Sequence, residues 1–245
     1  GWPDRAPCGP AGPYTDVITP RFGVPALAAA IFERRRSGLG QHIDLSQVEG
    51  AIRFIEPLIL DALVNGRTAE PAGMASAVAC PHGVYRAAGT ERFIAISAET
   101  APEWRALLGV APLDRFATPE FDALDVRQSR GAEIEAALAA WVRGQDAFAL
   151  EGQLVAAGVP AAAVLRMSDL HRDAQLEHRG FFVPLEHSVM GRVPYDGLAT
   201  RFSAKQTMLH RAAPALGEHT AFVLRELVGM DASEIASYAA ADALT

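Results

Sequence analysis

Asp16 stands at the head of a segment, residues 16–36, in which Val17, Phe22, Val24, Leu27, Ala28, Ile31 and Phe32 approximate a helical period. A helix amino terminus favours a carboxylate and offers N–H donors to a developing oxyanion, so an acid there is a candidate for carbonyl chemistry. Spacing alone makes it an N-cap or first-turn acid. Cys80 and His82 lie two apart, which invites a thiol–imidazole pair, but neighbours on an extended segment do not guarantee hydrogen-bond geometry. His82 alone, between Pro81 and Gly83, could orient a substrate or simply be a structural histidine. His171 and His178 could share one face of a helix, yet no further ligands gather near them in sequence, so no zinc site is expected. Gly38-x-Gly40 lacks both dinucleotide spacing and a phosphate-loop lysine and reads as a helix stop. Arg34, Arg35 and Arg36 read as a solvated run at the negative end of a helix, although they could attract phosphates. Tyr14, beside Asp16, either lines a pocket or packs the loop, and Glu49 pairs with Ser46 in a capping box.

The elements that must hold these residues belong to a chain of 245 residues, 50% apolar and 21% charged, enough for one or two ordinary cores. The net charge of −7 and the scatter of the 22 basic residues disfavour nucleic-acid binding. Two distant cysteines, Cys8 and Cys80, fit ordinary thiols in a reducing, cytoplasmic compartment. Apolar runs such as residues 25–32 are far shorter than the ~20 residues of a membrane span, and no targeting signal opens the chain.

Residues 1–13 read as loop, as if the chain began in mid-protein. Residues 16–36 form a helix closed by Gly38, with Pro20 in a first turn and Pro25 a potential kink. Ser46-x-x-Glu49 opens a helix through 51–64, Asn65-Gly66 closes it, and residues 67–73 read as a linker. Residues 83–88 and 92–97 form a hairpin about Gly89-Thr90, with a short helix at 104–108. Helices follow at 134–142 and 148–157, the second capped by Asp146 and stopped by Gly158, then a strand at 162–165. Ser168 caps a helix over 169–178, residues 181–183 are extended, and 191–197 are turn-rich. Helices at 217–227 and 233–240 end a chain whose alternating elements indicate an α/β fold, helix-rich.

Gly12-Pro13-Tyr14-Thr15-Asp16, the alanine-rich helix, and Arg36-Ser37-Gly38-Leu39-Gly40-Gln41 through Ser46-Gln47-Val48-Glu49 resemble the segment after the active site of family III CoA-transferases, the CaiB/BaiF group. Cys80-Pro81-His82-Gly83-Val84-Tyr85, Gly158-Val159-Pro160-Ala161, Arg179-Gly180-Phe181-Phe182 and Ala213-Pro214-Ala215-Leu216-Gly217-Glu218-His219-Thr220 are similar to later motifs of that family, in the same order. The resemblance implies the carboxyl-terminal part of such a fold. Residues 1–68 would belong to an incomplete Rossmann-like large domain, 69–180 to a small α/β domain, and 181–245 to a return segment with helices. It implies Asp16 as nucleophile toward an acyl-CoA thioester, with Tyr14, Gly73, Met74 and His82 near substrate. Gly73-Met74-Ala75-Ser76 stands where many members carry Gly-Asn-Arg or a glycine-rich loop.

The activity implied is CoA transfer from an acyl-CoA to a carboxylic acid through aspartyl anhydride and thioester intermediates. Coenzyme A enters as substrate, with no permanent cofactor and no metal. An amino-terminal half or a partner subunit would supply most of the CoA pocket, in a homodimer, interlocked in this family, or a hetero-oligomer. Two alternatives accompany it. An α-methylacyl-CoA racemase would use Asp16 as an acid/base with a histidine from elsewhere. A non-catalytic subunit would complete a transferase assembly and keep Asp16 by ancestry.

Overall fold

The structure is a computed structural model that describes residues 1–245 except 7, 8, 10, 11, 205–207, 242 and 245, so Cys8 and part of the opening loop lie outside the described residues. The chain divides into two compact units, Gly1–Ala163 and Val164–Thr245.

The first unit opens with α1 (Tyr14–Ile18) and α2 (Pro20–Ser37). The single helix expected over 16–36 is thus divided, because Pro20 has no N–H to give the Asp16 carbonyl four residues back. Gly38, at φ 78°, closes α2 as its sequence suggests. Ser46 caps α3 (Gln47–Ile52), its hydroxyl accepting from the Glu49 N–H at 3.3 Å. The apolar stretch 51–64 is not one helix either: α3 ends at Ile52 and α4 (Glu56–Asn65) starts afresh. Pro57 is tolerated in the first turn of α4, where its missing N–H would be unpaired anyway, but not inside a continuous helix.

Beyond the linker, β1 (His82–Arg86) and β2 (Phe93–Ser97) form the expected hairpin, with His82 opposite Ser97. β3 (Ala161–Ala163) adds antiparallel to β2, so the sheet order is β1-β2-β3. Between the hairpin and β3 run α5 (Ala101–Leu108), α6 (Leu124–Ser129), α7 (Gly131–Val142) and α8 (Ala147–Ala157). Asp146 accepts the first N–H groups of α8 and Gly158 ends it at φ 89°. Alternate residues of β2, Ile94 and Ile96, meet Trp104 and Leu107 of α5, Ile134, Leu138 and Val142 of α7, and Leu150 and Leu154 of α8 in one buried cluster. The four-residue spacing on α7 and α8 puts those side chains on one face of each helix. By contrast, none of the residues of α2 or α4 is buried, and Val24, Leu27, Phe32, Leu63 and Val64 are each more than half exposed.

In the second unit the helix expected over 169–178 is two: α9 (Met167–Leu170) and α10 (Ala174–His178). Asp173, not Ser168, is the capping residue, accepting from Leu176 N–H at 2.9 Å. Residues 191–197, expected to be turns, mostly form β5 (Gly191–Asp196) against β4 (Phe182–His187). The intermediate burial of Val193 and Tyr195, alternating with exposed Arg192, Pro194 and Asp196, is the strand period that the glycine and proline content obscured. α11 (Thr220–Phe222) runs into a wide π turn at Val223–Val228, and α12 (Ala232–Ala240) is capped by a reciprocal Asp231–Glu234 box. Among the described residues no helix is long and apolar enough to cross a membrane.

Candidate active site

Asp16 is exposed and lies in the first turn of α1. Its backbone N–H donates to the Pro13 carbonyl at 3.1 Å, and α1 has only five residues. The long helix expected to stabilise this carboxylate therefore begins after it, and its orientation comes from a neighbouring side chain. The Gln47 amide Nε2 donates to Asp16 Oδ1 at 2.7 Å, while Thr15 Oγ1 donates to Gln47 Oε1 at 3.4 Å. Ser46 starts α3 so that Gln47 is its first residue, and the buried Gly50 lets α3 approach α1. A Cβ on Gly50 would sit 3.3 Å from Thr19 Oγ1. Gln47 belongs to the motif that carries the family resemblance, but its pairing with Asp16 has no signal in local spacing. Tyr14 is the first residue of α1 and is half exposed.

A second group of polar residues gathers around the start of β1. The Glu135 carboxylate on α7 accepts from the His82 backbone N–H at 2.9 Å and from the Tyr85 hydroxyl at 2.5 Å. His82 Nδ1 lies 2.7 Å from the Met74 carbonyl oxygen. A carbonyl can only accept, so Nδ1 carries the proton of this contact. Gln128 donates to the Ser76 carbonyl at 2.9 Å, and Gly73 N–H donates to the Gly1 carbonyl at 2.8 Å, so the 73–76 loop is tied from several sides. Gly73 has φ 63°, and a Cβ there would fall 2.7 Å from the Trp2 ring. Among the described residues no hydrogen bond joins this group to Asp16 and Gln47.

Cys80 is buried and donates its thiol to the Arg127 carbonyl at 3.4 Å, away from any pairing with His82. Burial, with the Glu135 charge adding to it, pushes its pKa up to about 11, the reverse of what a nucleophilic cysteine needs. Arg127 is itself fully buried. Its guanidinium donates to the carbonyls of Cys80, Phe121, Asp122 and Glu99 at 2.7, 3.0, 2.9 and 3.0 Å, and it lies over the Trp104 ring. Desolvation lowers its pKa, and the nearby Cys80, Asp122 and Glu103 oppose that shift.

The remaining candidates have structural partners. His171 packs on Phe182 with ring centroids 4.3 Å apart, and His178 closes the separate helix α10, so the two do not share a helix face. Arg36 is paired with Glu33 at 2.8 Å. Among the described residues no group of three or more histidine, cysteine, aspartate or glutamate side chains could hold a metal ion.

In this α/β fold an exposed aspartate, held by the Gln47 amide, stands ahead of a helix closed by Gly38. Residues 1–220 match the model of CoA-transferase family III, and the chain belongs to that family. A probable CoA-transferase of Mycobacterium tuberculosis is 29% identical over 90% of this chain and 28% of its own length. The succinyl-CoA–L-malate CoA-transferase alpha subunit of Chloroflexus aurantiacus is 26% identical over 96% of this chain and 55% of its own. The fold is that of a CaiB/BaiF family protein from Brucella suis, with a TM-score of 0.81 at 24% identity, over 93% of this chain and 58% of that one. The chain thus spans little more than half of these proteins at most.

Proposed function

We propose that this chain carries the nucleophile of an enzyme that moves coenzyme A from an acyl-CoA donor to a carboxylic acid, and that the nucleophile is Asp16. The observation that carries the reading is the exposed Asp16 carboxylate with one oxygen held by Gln47 at 2.7 Å. The Asp16 oxygen attacks the thioester carbonyl carbon, the carbon–sulfur bond breaks, and CoA leaves as thiolate, so that a mixed anhydride of the acyl group and Asp16 remains. The thiolate then attacks the aspartyl carbonyl, releasing the donor acid and leaving an aspartyl thioester. An incoming carboxylate attacks that thioester to give a second anhydride and free thiolate. The thiolate finally takes the new acyl group and restores Asp16. The Gln47 amide fixes which oxygen is presented without adding a charge that would blunt it.

Residues 1–68 would form part of a large CoA-binding domain, 69–180 a small domain and 181–245 a return segment. Tyr14, Gly73, Met74 and His82 would line the substrate site. The exposed apolar residues of α2 and α4 suit a surface covered by the rest of that large domain or by a partner subunit. The relative that is an alpha subunit supports hetero-oligomers as one form of such an assembly, a homodimer being the other.

The test is made on the complete assembly. Incubation with acyl-CoA and hydroxylamine should convert Asp16 to a hydroxamate detectable by peptide mass, and Asp16→Ala should abolish CoA exchange. Solvent deuterium entering Cα without CoA exchange would instead identify acid/base racemisation. Turnover surviving in Asp16→Ala would leave the chain a non-catalytic subunit.

A further inference from the structure

We propose that Gln47 is a catalytic residue for the steps in which coenzyme A enters and leaves Asp16, donating its amide to the oxyanion that forms on the aspartyl carbonyl, and that Thr15 positions that amide. The inference rests on the reading of Asp16 as nucleophile and assigns roles within it. A helix amino terminus would ordinarily supply such a donor from its backbone. Here the N–H groups of Asp16 and Val17 both donate to the Pro13 carbonyl, at 3.1 and 3.3 Å. Among the described residues the one side-chain donor to the carboxylate is Gln47, with Nε2 2.7 Å from Oδ1.

The movement of charge separates donation from simple orientation. When Oδ2 attacks the donor thioester, Oδ1 gives up its share of the negative charge and becomes the aspartyl carbonyl oxygen of the anhydride. The new oxyanion of that step lies on the acyl group. When the thiolate then adds to the aspartyl carbon, the carbonyl electron pair moves onto Oδ1. It returns as the bond from that carbon to Oδ2 breaks, and Oδ2 leaves with the donor acid. Charge rises on Oδ1 again when the incoming carboxylate adds to the aspartyl thioester and the thiolate departs. A donor fixed on Oδ1 therefore favours these two additions and not the first attack, whereas orientation alone would help every step alike.

In the anhydride and the thioester Oδ1 is neutral, so it holds the amide less firmly than a carboxylate does. Thr15 Oγ1 donates to Gln47 Oε1 at 3.4 Å. An amide oxygen kept on a hydroxyl donor leaves the NH₂ end facing Oδ1 through the states in which Asp16 has no charge to hold it.

The test follows the first half-reaction of the complete assembly with no acceptor acid. Acetyl-, hexanoyl- and succinyl-CoA, each labelled in the acyl group, are mixed with enzyme and hydroxylamine, with Asp16→Ala as the blank. Hydroxylamine attacking the acyl carbonyl of the anhydride gives the labelled hydroxamate. Attack at the aspartyl carbonyl, by thiolate or by hydroxylamine, gives the labelled acid. Their ratio compares the two carbonyls and does not depend on how much enzyme is active. Gln47→Ala should raise the hydroxamate-to-acid ratio about tenfold, less than for an enclosed oxyanion donor because Gln47 is exposed. Thr15→Val should raise it about threefold, the worth of a neutral hydrogen bond, and Thr15→Ser should restore it. An unchanged ratio in Gln47→Ala, with both products slowed alike, would make Gln47 an orienting group only and overturn the inference while Asp16 stays the nucleophile. A rise in Gln47→Ala with none in Thr15→Val would overturn the role of Thr15. The absence of any Asp16-dependent product from all three donors would remove the CoA-transfer reading and the inference with it.

Discussion

Gln47 donates its side-chain amide to Asp16 Oδ1 at 2.7 Å although the two residues are 31 positions apart. The bond joins the first turn of α1 to the first residue of α3, and it orients an otherwise exposed carboxylate. A hydrogen bond to a charged group is typically worth about 1.5–3 kcal/mol, and exposure brings this one to the low end. Gln47→Ala should therefore lower kcat/KM for CoA exchange by roughly tenfold with little change in unfolding midpoint. Gln47→Glu sets like charge beside Asp16 and should lose more. Stopped-flow measurement of anhydride or thioester formation checks both, and an unaltered rate in Gln47→Glu would mean that Asp16 is not the reacting group.

Gly50 makes that pairing possible from the α3 side. A Cβ there would lie 3.3 Å from Thr19 Oγ1 and 3.6 Å from the Phe22 ring, and Thr19 is buried. Replacing a helical glycine by alanine ordinarily gains about 0.5–1 kcal/mol, so Gly50→Ala sets that gain against a small shift of Thr19. Gly50→Val adds branching that the contact cannot absorb and should cost about 1–3 kcal/mol. Urea midpoints measured beside kcat/KM should show both falling in Gly50→Val, because moving α3 away also moves Gln47.

Arg127 anchors the other half of the first unit. Its guanidinium closes hydrogen bonds to four carbonyls in three separate segments, at Cys80, at Glu99, and at the adjacent Phe121 and Asp122. Arg127→Met keeps the stem but leaves those acceptors without their donor. The expected loss is about 3–5 kcal/mol, comparable with breaking a buried ionic pair. Lysine, with one nitrogen in place of a planar fork, should rescue only part of it. Chemical denaturation of the three proteins gives the comparison.

What the sequence makes legible is what local rules govern. Gly38, Gly66 and Gly158 end helices with positive φ, Asp146 caps one, and the hairpin about residues 87–92 needs only strand composition and a turn. Apolar periodicity runs on through Pro20 and Pro57, so residues 16–36 and 51–64 read as continuous helices across breaks that only the missing N–H groups enforce. At the site, Asp16 stands out through the ordered motifs around it. Gln47, Glu135 and Arg127 do not, since each finds its partner by a crossing of elements that has no period in the sequence.

Cys80 and Tyr85 make the stability of the first unit sensitive to alkali. The thiol titrates near 9.0 unperturbed and is pushed up to about 11 by burial, then by Glu135. Tyr85 is raised as well, by burial first, then by the charge and hydrogen bond of Glu135. Between pH 9 and 11 the unfolded chain releases the Cys80 proton while the folded chain keeps it, so the native state holds more protons and unfolding becomes easier as pH rises. The thiol contributes its full stabilisation below about pH 9, and about 2–3 kcal/mol is lost by pH 11. Urea midpoints should fall over that range, and Cys80→Ala should flatten the part due to the thiol while leaving the part due to Tyr85. The same burial predicts that a thiol reagent at pH 8 labels Cys80 only as fast as the unit opens, so the labelling rate should rise with urea well before the transition midpoint. Rapid labelling in the absence of urea, at the rate of a free thiol, would contradict both the burial and the alkaline effect derived from it.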